Sequence, residues 1–159
     1  MSRTLLEEVK DQERKDVSQD AEVDSLEAVV DAGIKVASVA IVGGLENAFA
    51  FNWQNPESVP IMVQRVMVDI GTQGATASAV IDIGTAANGT THSDNLIDGL
   101  AVTATGLFDN VESKGSNGKS RQRMDAKDGT TDYITGQILA AAAAALAGRV
   151  YIEYVKVRA

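Results

Sequence analysis

The stretch that most constrains this chain runs over residues 49–84, FAFNWQNPESVPIMVQRVMVDIGTQGATASAVIDIG. Phe49, Phe51 and Trp53 alternate with Ala50 and Asn52, which puts three aromatics on one face of an extended strand. Residues 54–60 then break that strand with turn chemistry and both of the chain's prolines, Pro56 and Pro60. A long β-branched run over 61–70 follows, residues 71–74 turn the chain, and 79–83 return. Val68-Asp69-Ile70-Gly71-Thr72 is nearly repeated as Ile81-Asp82-Ile83-Gly84-Thr85. This pattern predicts a meander of three antiparallel strands at the middle of an all-β core.

The strand pattern extends beyond this stretch. From Ile34 the hydrophobic period is 2, and residues 34–42 read as a strand ended by Gly43-Gly44. Further strands are expected within 99–108, 121–127 and 130–139, and a final one over 148–157. Residues 86–98 and 114–120 read as loops, the second flexible by composition. The six alanines Ala140 to Ala145 have helical propensity, so a short helix crossing one end of the body is expected. Some eight strands with turns at short intervals, and no βαβ alternation, predict a jelly-roll-like antiparallel β-sandwich over residues 34–159.

Residues 1–33 differ in kind. Up to Asp31, four basic residues against ten acidic ones leave a charge of −6, out of −8 for the whole chain. No Gly or Pro occurs before Gly33. The segment reads as an acidic N-terminal arm, helical or partly disordered, with Asp24 or Ser25 as an N-cap and Gly33 as a stop. Leu5, Leu6 and Val9 form one apolar patch on it, and Leu26, Val29 and Val30 another. These six are the arm's candidate contacts to another chain.

Composition excludes several functions. The 159-residue chain has no cysteine, which removes disulfides and thiolate metal sites. Its acidic balance argues against a general nucleic-acid binder. The start lacks the apolar core of a signal peptide, and the apolar run over 138–148 is too short to span a bilayer. Only 4% of residues are aromatic, so the core is thin and an oligomer would help complete it.

The candidate sites are weak. His92 is the single histidine and lies in Thr91-His92-Ser93-Asp94-Asn95 without a Gly-x-Ser-x-Gly elbow, so it reads as a loop residue rather than a catalytic one. Asp94, Asn95 and Asp98 offer oxygens, but their spacing does not fit an EF-hand, and an Asx-turn is the better reading. Asp69 and Asp82 could oppose each other across a hairpin, although an outward, solvated position is expected for both. Lys114, Lys119, Arg121, Arg123 and Lys127 form the one basic cluster, with no aromatics between them to stack bases. Lys114, Lys119, Arg121 and Arg123 are candidate contacts to an acidic protein surface. No catalytic, cofactor or metal residue is assigned.

Four stretches carry a resemblance. They are residues 44–56 (GLENAFAFNWQNP), 93–99 (SDNLIDG), 108–119 (FDNVESKGSNGK) and 148–155 (GRVYIEYV). Together they make the body from about Gly43 onward similar to small structural proteins of tailed-bacteriophage virions, in particular head decoration (cement) proteins. The resemblance is one of style and order, over roughly 110 residues. It implies a non-enzymatic virion component with a jelly-roll-like body, made in the host cytoplasm and bound to the capsid surface. It further implies contacts to the major capsid protein, homo-oligomerisation with a trimer favoured, and no cofactor, nucleic acid or membrane. A carbohydrate- or receptor-binding jelly roll of a head fibre or tail is the alternative. A hydrolase using His92 is the third.

Overall fold

The computed structural model describes residues 33–157. Among them are nine strands and no helix: β1 Lys35–Val42, β2 Phe49–Gln54, β3 Ile61–Thr72, β4 Val80–Ala86, β5 Ile97–Ala101, β6 Gly106–Asp109, β7 Gln122–Met124, β8 Tyr133–Leu139 and β9 Ala147–Lys156. The expected contacts at Leu5, Leu6, Val9, Leu26, Val29 and Val30 lie outside the described residues.

All pairings are antiparallel. The first sheet runs β1-β9-β3-β6, with β7 also on β3, and the second runs β2-β8-β4-β5. β6 pairs with Met67–Ile70 and β7 with Ile61–Val63, so the two share one strand position along β3. Taken as one interrupted strand, they give two four-stranded sheets. The chain neighbours β1/β2, β9/β8, β3/β4 and β6/β5 then sit at matching positions in the two sheets. That winding is a jelly roll, as the period-2 pattern predicts.

The inner faces follow from alternation. Ile61, Val63, Val66, Val68 and Ile70 of β3 are buried, the change of parity after Val63 falling at a bulge in its pairing with β9. They face Ile81 and Ile83 of β4 and Ile134 and Ile138 of β8 in one apolar cluster. Such β-branched residues are stiff and suit a pleated surface, and burying each side chain contributes about 1.5–3 kcal/mol.

Several expectations are corrected. The meander does not form: β2 pairs with β8, β3 lies in the other sheet, and β4 sits between β8 and β5. The links 55–60 and 73–79 are too long for tight hairpins, and they carry the chain across the roughly 10 Å between packed sheets. Phe51 is buried, but Phe49 and Trp53 are only partly so: a register shift separates Phe49 from Phe51, while Trp53 stays in register with Phe51 near the end of β2. Trp53 instead packs on Tyr154 of β9, ring centroids 5.5 Å apart. The single strand expected in 99–108 is two strands, β5 and β6, in different sheets.

The alanine run is not a helix. Ala140 has a φ of 65°, and a turn closes from Leu146 N–H to the Ala143 carbonyl at 3.0 Å. Six residues barely exceed the costly helical nucleus, while packing offers more here. Ala143 and Leu146 are buried, and Ala143 N–H donates to Gly44 O at 2.8 Å. Gly43 has no Cβ because one would lie 2.4 Å from the Ala143 carbonyl oxygen. The run is thus a bent crossing from β8 to β9 pressed against the turn after β1.

Candidate functional site

β4 is the strand with a functional-looking neighbourhood. Residues 81–86 are all buried, although alternation would expose every second one. The loop over 87–96 covers the outer face. It presses closest at Gly84, where a Cβ would meet Ser93 Oγ at 2.3 Å. Asn95 fastens the loop down: its Oδ1 accepts from Thr85 N–H at 2.8 Å, and its Nδ2 donates to Thr85 Oγ1 at 2.8 Å.

Under this cover Asp82 is 6% exposed. Its Oδ1 accepts from Gly99 N–H at 2.7 Å, and its Oδ2 meets His92 Nε2 at 2.9 Å. The expectation that Asp82 points to solvent is therefore overturned. Asp69 remains exposed on β3, opposite Arg149, in the other sheet, so the two aspartates do not face each other. His92 is a loop residue as expected, but one clamped to a buried carboxylate.

Asp94 and Asp98 join this group. One carboxylate oxygen from each of Asp82, Asp94 and Asp98 lies within 4.8 Å of the others. Three oxygens so placed can touch one hard cation, although Ca²⁺ wants six to eight. Here they accept hydrogen bonds instead: Asn117 Nδ2 donates to Asp94 at 2.9 Å and Asn117 N–H to Asp98 at 3.1 Å. For triad chemistry His92 would need a hydroxyl partner as well as its carboxylate. Among the described residues no hydroxyl is hydrogen-bonded to it. The arrangement works as a clamp that fastens two loops over β4.

The second of those loops is the stretch expected to be flexible. It is instead tied down along its length. Asp98 N–H donates to Lys114 O at 2.9 Å and Lys119 N–H to Asn95 O at 3.0 Å. Gly118 is buried, and a Cβ there would sit 2.0 Å from the Lys114 carbonyl oxygen. The side chains of Lys114, Lys119 and Arg121 project from this loop and are exposed, and Arg123 is exposed on β7. Arg123 pairs with Asp125 at 3.0 Å. These residues share one side of the sandwich edge, yet among the described residues nothing gathers them around a pocket.

Two further carboxylates organise the strand ends. Glu57, in the β2–β3 link, accepts from Lys35 Nζ at 2.9 Å and Tyr154 Oη at 3.2 Å, and pairs with Lys156 at 3.3 Å. Burial pushes its carboxyl up, but the two lysines outweigh that and hold it below the usual range. Asp109 is also pushed up by burial, and Arg65 with the N–H groups of Glu112 and Val111 brings it below its usual value. Burial and Glu57 raise the Tyr154 hydroxyl. Because both carboxyls titrate lower when folded, their stabilisation is full above the unfolded carboxylate range near 4 and is lost as pH falls through the folded values. The expected result is a urea midpoint that drops steeply below about pH 4. Glu57→Gln should lower stability by about 1 kcal/mol at pH 7 and flatten part of that drop. An unchanged pH profile in Glu57→Gln would remove Glu57 from this role.

No protein-family model matches the chain, and no curated protein matches it. Solved structures similar to it include viral capsids. The capsid asymmetric unit of cyanophage Pam1 aligns at 16% identity and a TM-score of 0.41, over 77% of this chain and 82% of that one. The acid-stable capsid of Helicobacter pylori bacteriophage KHP30 aligns at 14% identity and 0.36, over 80% and 93%. The infectious bursal disease virus VP2 subviral particle aligns at 10% and 0.37, over 77% of this chain but only 33% of that chain. At these scores none of the three defines a shared fold or a shared function.

Proposed function

We propose that this chain is a non-enzymatic virion structural protein. It binds the outer surface of an assembled head as a decoration or cement protein, through contacts to the major capsid protein, and associates with copies of itself, a trimer being the favoured form. The observation that carries this reading is where the exposed apolar side chains lie. Ile34, Val36 and Val42 are exposed on or beside β1 and Leu45 just after it, while Leu107 and Val111 are exposed on and beside β6. Both edges of one sheet thus offer apolar contact surface, while the buried carboxylates are committed to internal hydrogen bonds. That is the profile of a binding module. The sequence resemblance supplies the virion setting.

The mechanism is mass action. A protein that binds only the expanded shell stabilises it by RT ln(1 + [L]/Kd), about 2.7 kcal/mol per site at a hundredfold excess over Kd. The acidic arm, through Leu5, Leu6, Val9, Leu26, Val29 and Val30, extends the contact to a neighbouring subunit, and Lys114, Lys119, Arg121 and Arg123 meet acidic shell surface. The carbohydrate-binding alternative lacks its main requirement. Every Phe, Tyr and Trp of the chain is at least partly buried, leaving no open aromatic platform.

Deleting residues 1–31 is expected to leave a soluble β protein by far-UV circular dichroism and to weaken binding to undecorated shells. Binding is measured at several salt concentrations, since a basic-to-acidic contact weakens with salt. Equal binding by truncated and full-length chains would reduce the arm to a solvated tail. Failure of the full-length chain to bind any shell would overturn the decoration reading.

A further inference from the structure

We propose that β1 is a self-pairing edge. Two copies of this chain join by antiparallel β1–β1 pairing about a two-fold axis at Val39, which makes their first sheets one continuous sheet. The proposal goes beyond shell binding and does not depend on it.

The four sheet edges are not alike. Open edges are normally blunted by bulges, short length, glycine kinks or charges. β2 is broken by its register shift between Phe49 and Phe51. β5 is five residues long, with Asp98 in it and Gly99 at a φ of 74°. The β6/β7 edge is two short pieces separated by a loop. β1 has only one of these devices, a single charge at its first residue. It is eight residues long, and its register with β9 runs unshifted from Lys35 to Val42. It contains no Gly, Pro or acidic residue, and its one charge, Lys35, is drawn to Glu57 at 2.9 Å.

The pattern along β1 identifies its partner as a second copy. Val36 and Val42, 61% and 65% exposed, each lie three residues from Val39. Setting Val39 against Val39 of the second copy places Val36 opposite Val42 at both ends. Ser38 then falls opposite Ala40, and Ala37 opposite Ile41. Outward-facing residues meet outward-facing ones throughout, as the two-residue period requires. A surface that matches itself about a point is what an isologous interface needs. Charge does not oppose the same partner. Outside residues 1–31 the chain carries only −2, the −8 of the whole less the −6 of that segment, and this edge has no acidic side chain. Where a trimer forms through another surface, the β1 contact joins trimers in pairs.

The chain has no cysteine, so introduced thiols report the register. Ser38→Cys and Ala40→Cys are made separately and mixed. Directly opposed strand residues sit about 4.5–5.5 Å apart, within disulfide reach, while the diagonal 38–38 and 40–40 pairs are roughly 7–8 Å apart and outside it. Mild oxidation of the mixture is expected to give at least tenfold more cross-linked dimer than either variant alone. Val36→Lys in both partners should abolish most of it, and Leu107→Lys on the opposite edge should leave it unchanged. The unmodified full chain at about 100 µM should show a mass that is an even multiple of the protomer, since a micromolar contact is then filled. A strictly monomeric mass, or cross-linking that ignores mixing or Val36→Lys, overturns the proposal. So does protection of β1 amides from hydrogen exchange without any dimer, which would mean that another segment covers the edge.

Discussion

Truncating Phe51 to alanine is expected to cost about 3–5 kcal/mol, as for other buried aromatics. Phe51 is 5% exposed and sits in register with Gly136 on β8. Its ring lies against that glycine: a Cβ on Gly136 would be 2.2 Å from the ring's Cε1. The bulge before Phe51 and the missing side chain on β8 together make the slot that the ring fills. Truncation leaves a cavity between strands whose backbones are fixed by their ladders, so collapse is limited and the cost stays high. Gly136→Ala tests the same slot from the other side. Its methyl would collide with the ring, and overpacking of this kind costs about 1–3 kcal/mol. The double variant Phe51→Ala/Gly136→Ala should lose less than the sum, because the new methyl fills part of the cavity. Urea denaturation of the four proteins measures this cycle. A Phe51→Ala cost below about 1 kcal/mol would show that the ring is not a core group.

This slot also marks the limit of what the sequence conveys. Alternation of Phe49, Phe51 and Trp53 identifies β2, but not the shift that separates Phe49 from Phe51, because a bulge is decided by the partner strand. Strand existence is a local property: β1 is legible from its period of 2, β3 from its β-branched run, and β9 from its own strand pattern. Partner choice is not local. The links after β2 and β3 contain turn residues, and nothing in them shows whether they close a hairpin or cross the sandwich. The near-repeat around Asp69 and Asp82 misleads for the same reason. Near-identical local sequence leaves Asp69 in solvent and buries Asp82, because only β4 is covered by a loop. Gly84 beside Asp82 was the available signal, since a glycine inside a strand often marks close approach of another backbone. The alanine run shows propensity losing to packing. The loop around Lys114 and Lys119 shows that Gly and Ser content reports backbone freedom, not whether hydrogen bonds hold the segment.

Replacing Asn110 is expected to have the other large effect. Asn110 is fully buried at the break between β6 and β7. Its own N–H donates to Val66 O at 3.2 Å, and its Oδ1 accepts from Val66 N–H at 2.8 Å. Its Nδ2 donates to Lys119 O at 3.0 Å. The side chain thus replaces the strand partner that β3 lacks between β6 and β7, and it anchors the far end of the loop that carries Lys114 and Lys119. Asn110→Ala leaves the buried Val66 N–H without its partner and releases Lys119 O from a part-buried bond. At about 1–3 kcal/mol for the unsatisfied buried N–H and about 1 kcal/mol for the other bond, the expected cost is roughly 2–4 kcal/mol. Asn110→Asp separates the two bonds. The carboxylate still accepts from Val66 N–H, but it cannot donate to Lys119 O and sets two acceptors against each other. Burial and that repulsion favour the protonated acid, which restores a donor, so Asn110→Asp should regain stability relative to the parent protein as pH falls from 7 to about 5. Urea denaturation at the two pH values, with hydrogen exchange at Val66, checks both statements. A cost below about 1 kcal/mol for Asn110→Ala, or an Asn110→Asp penalty that does not change with pH, would mean that backbone or water takes over these bonds and that the loop holds without its anchor.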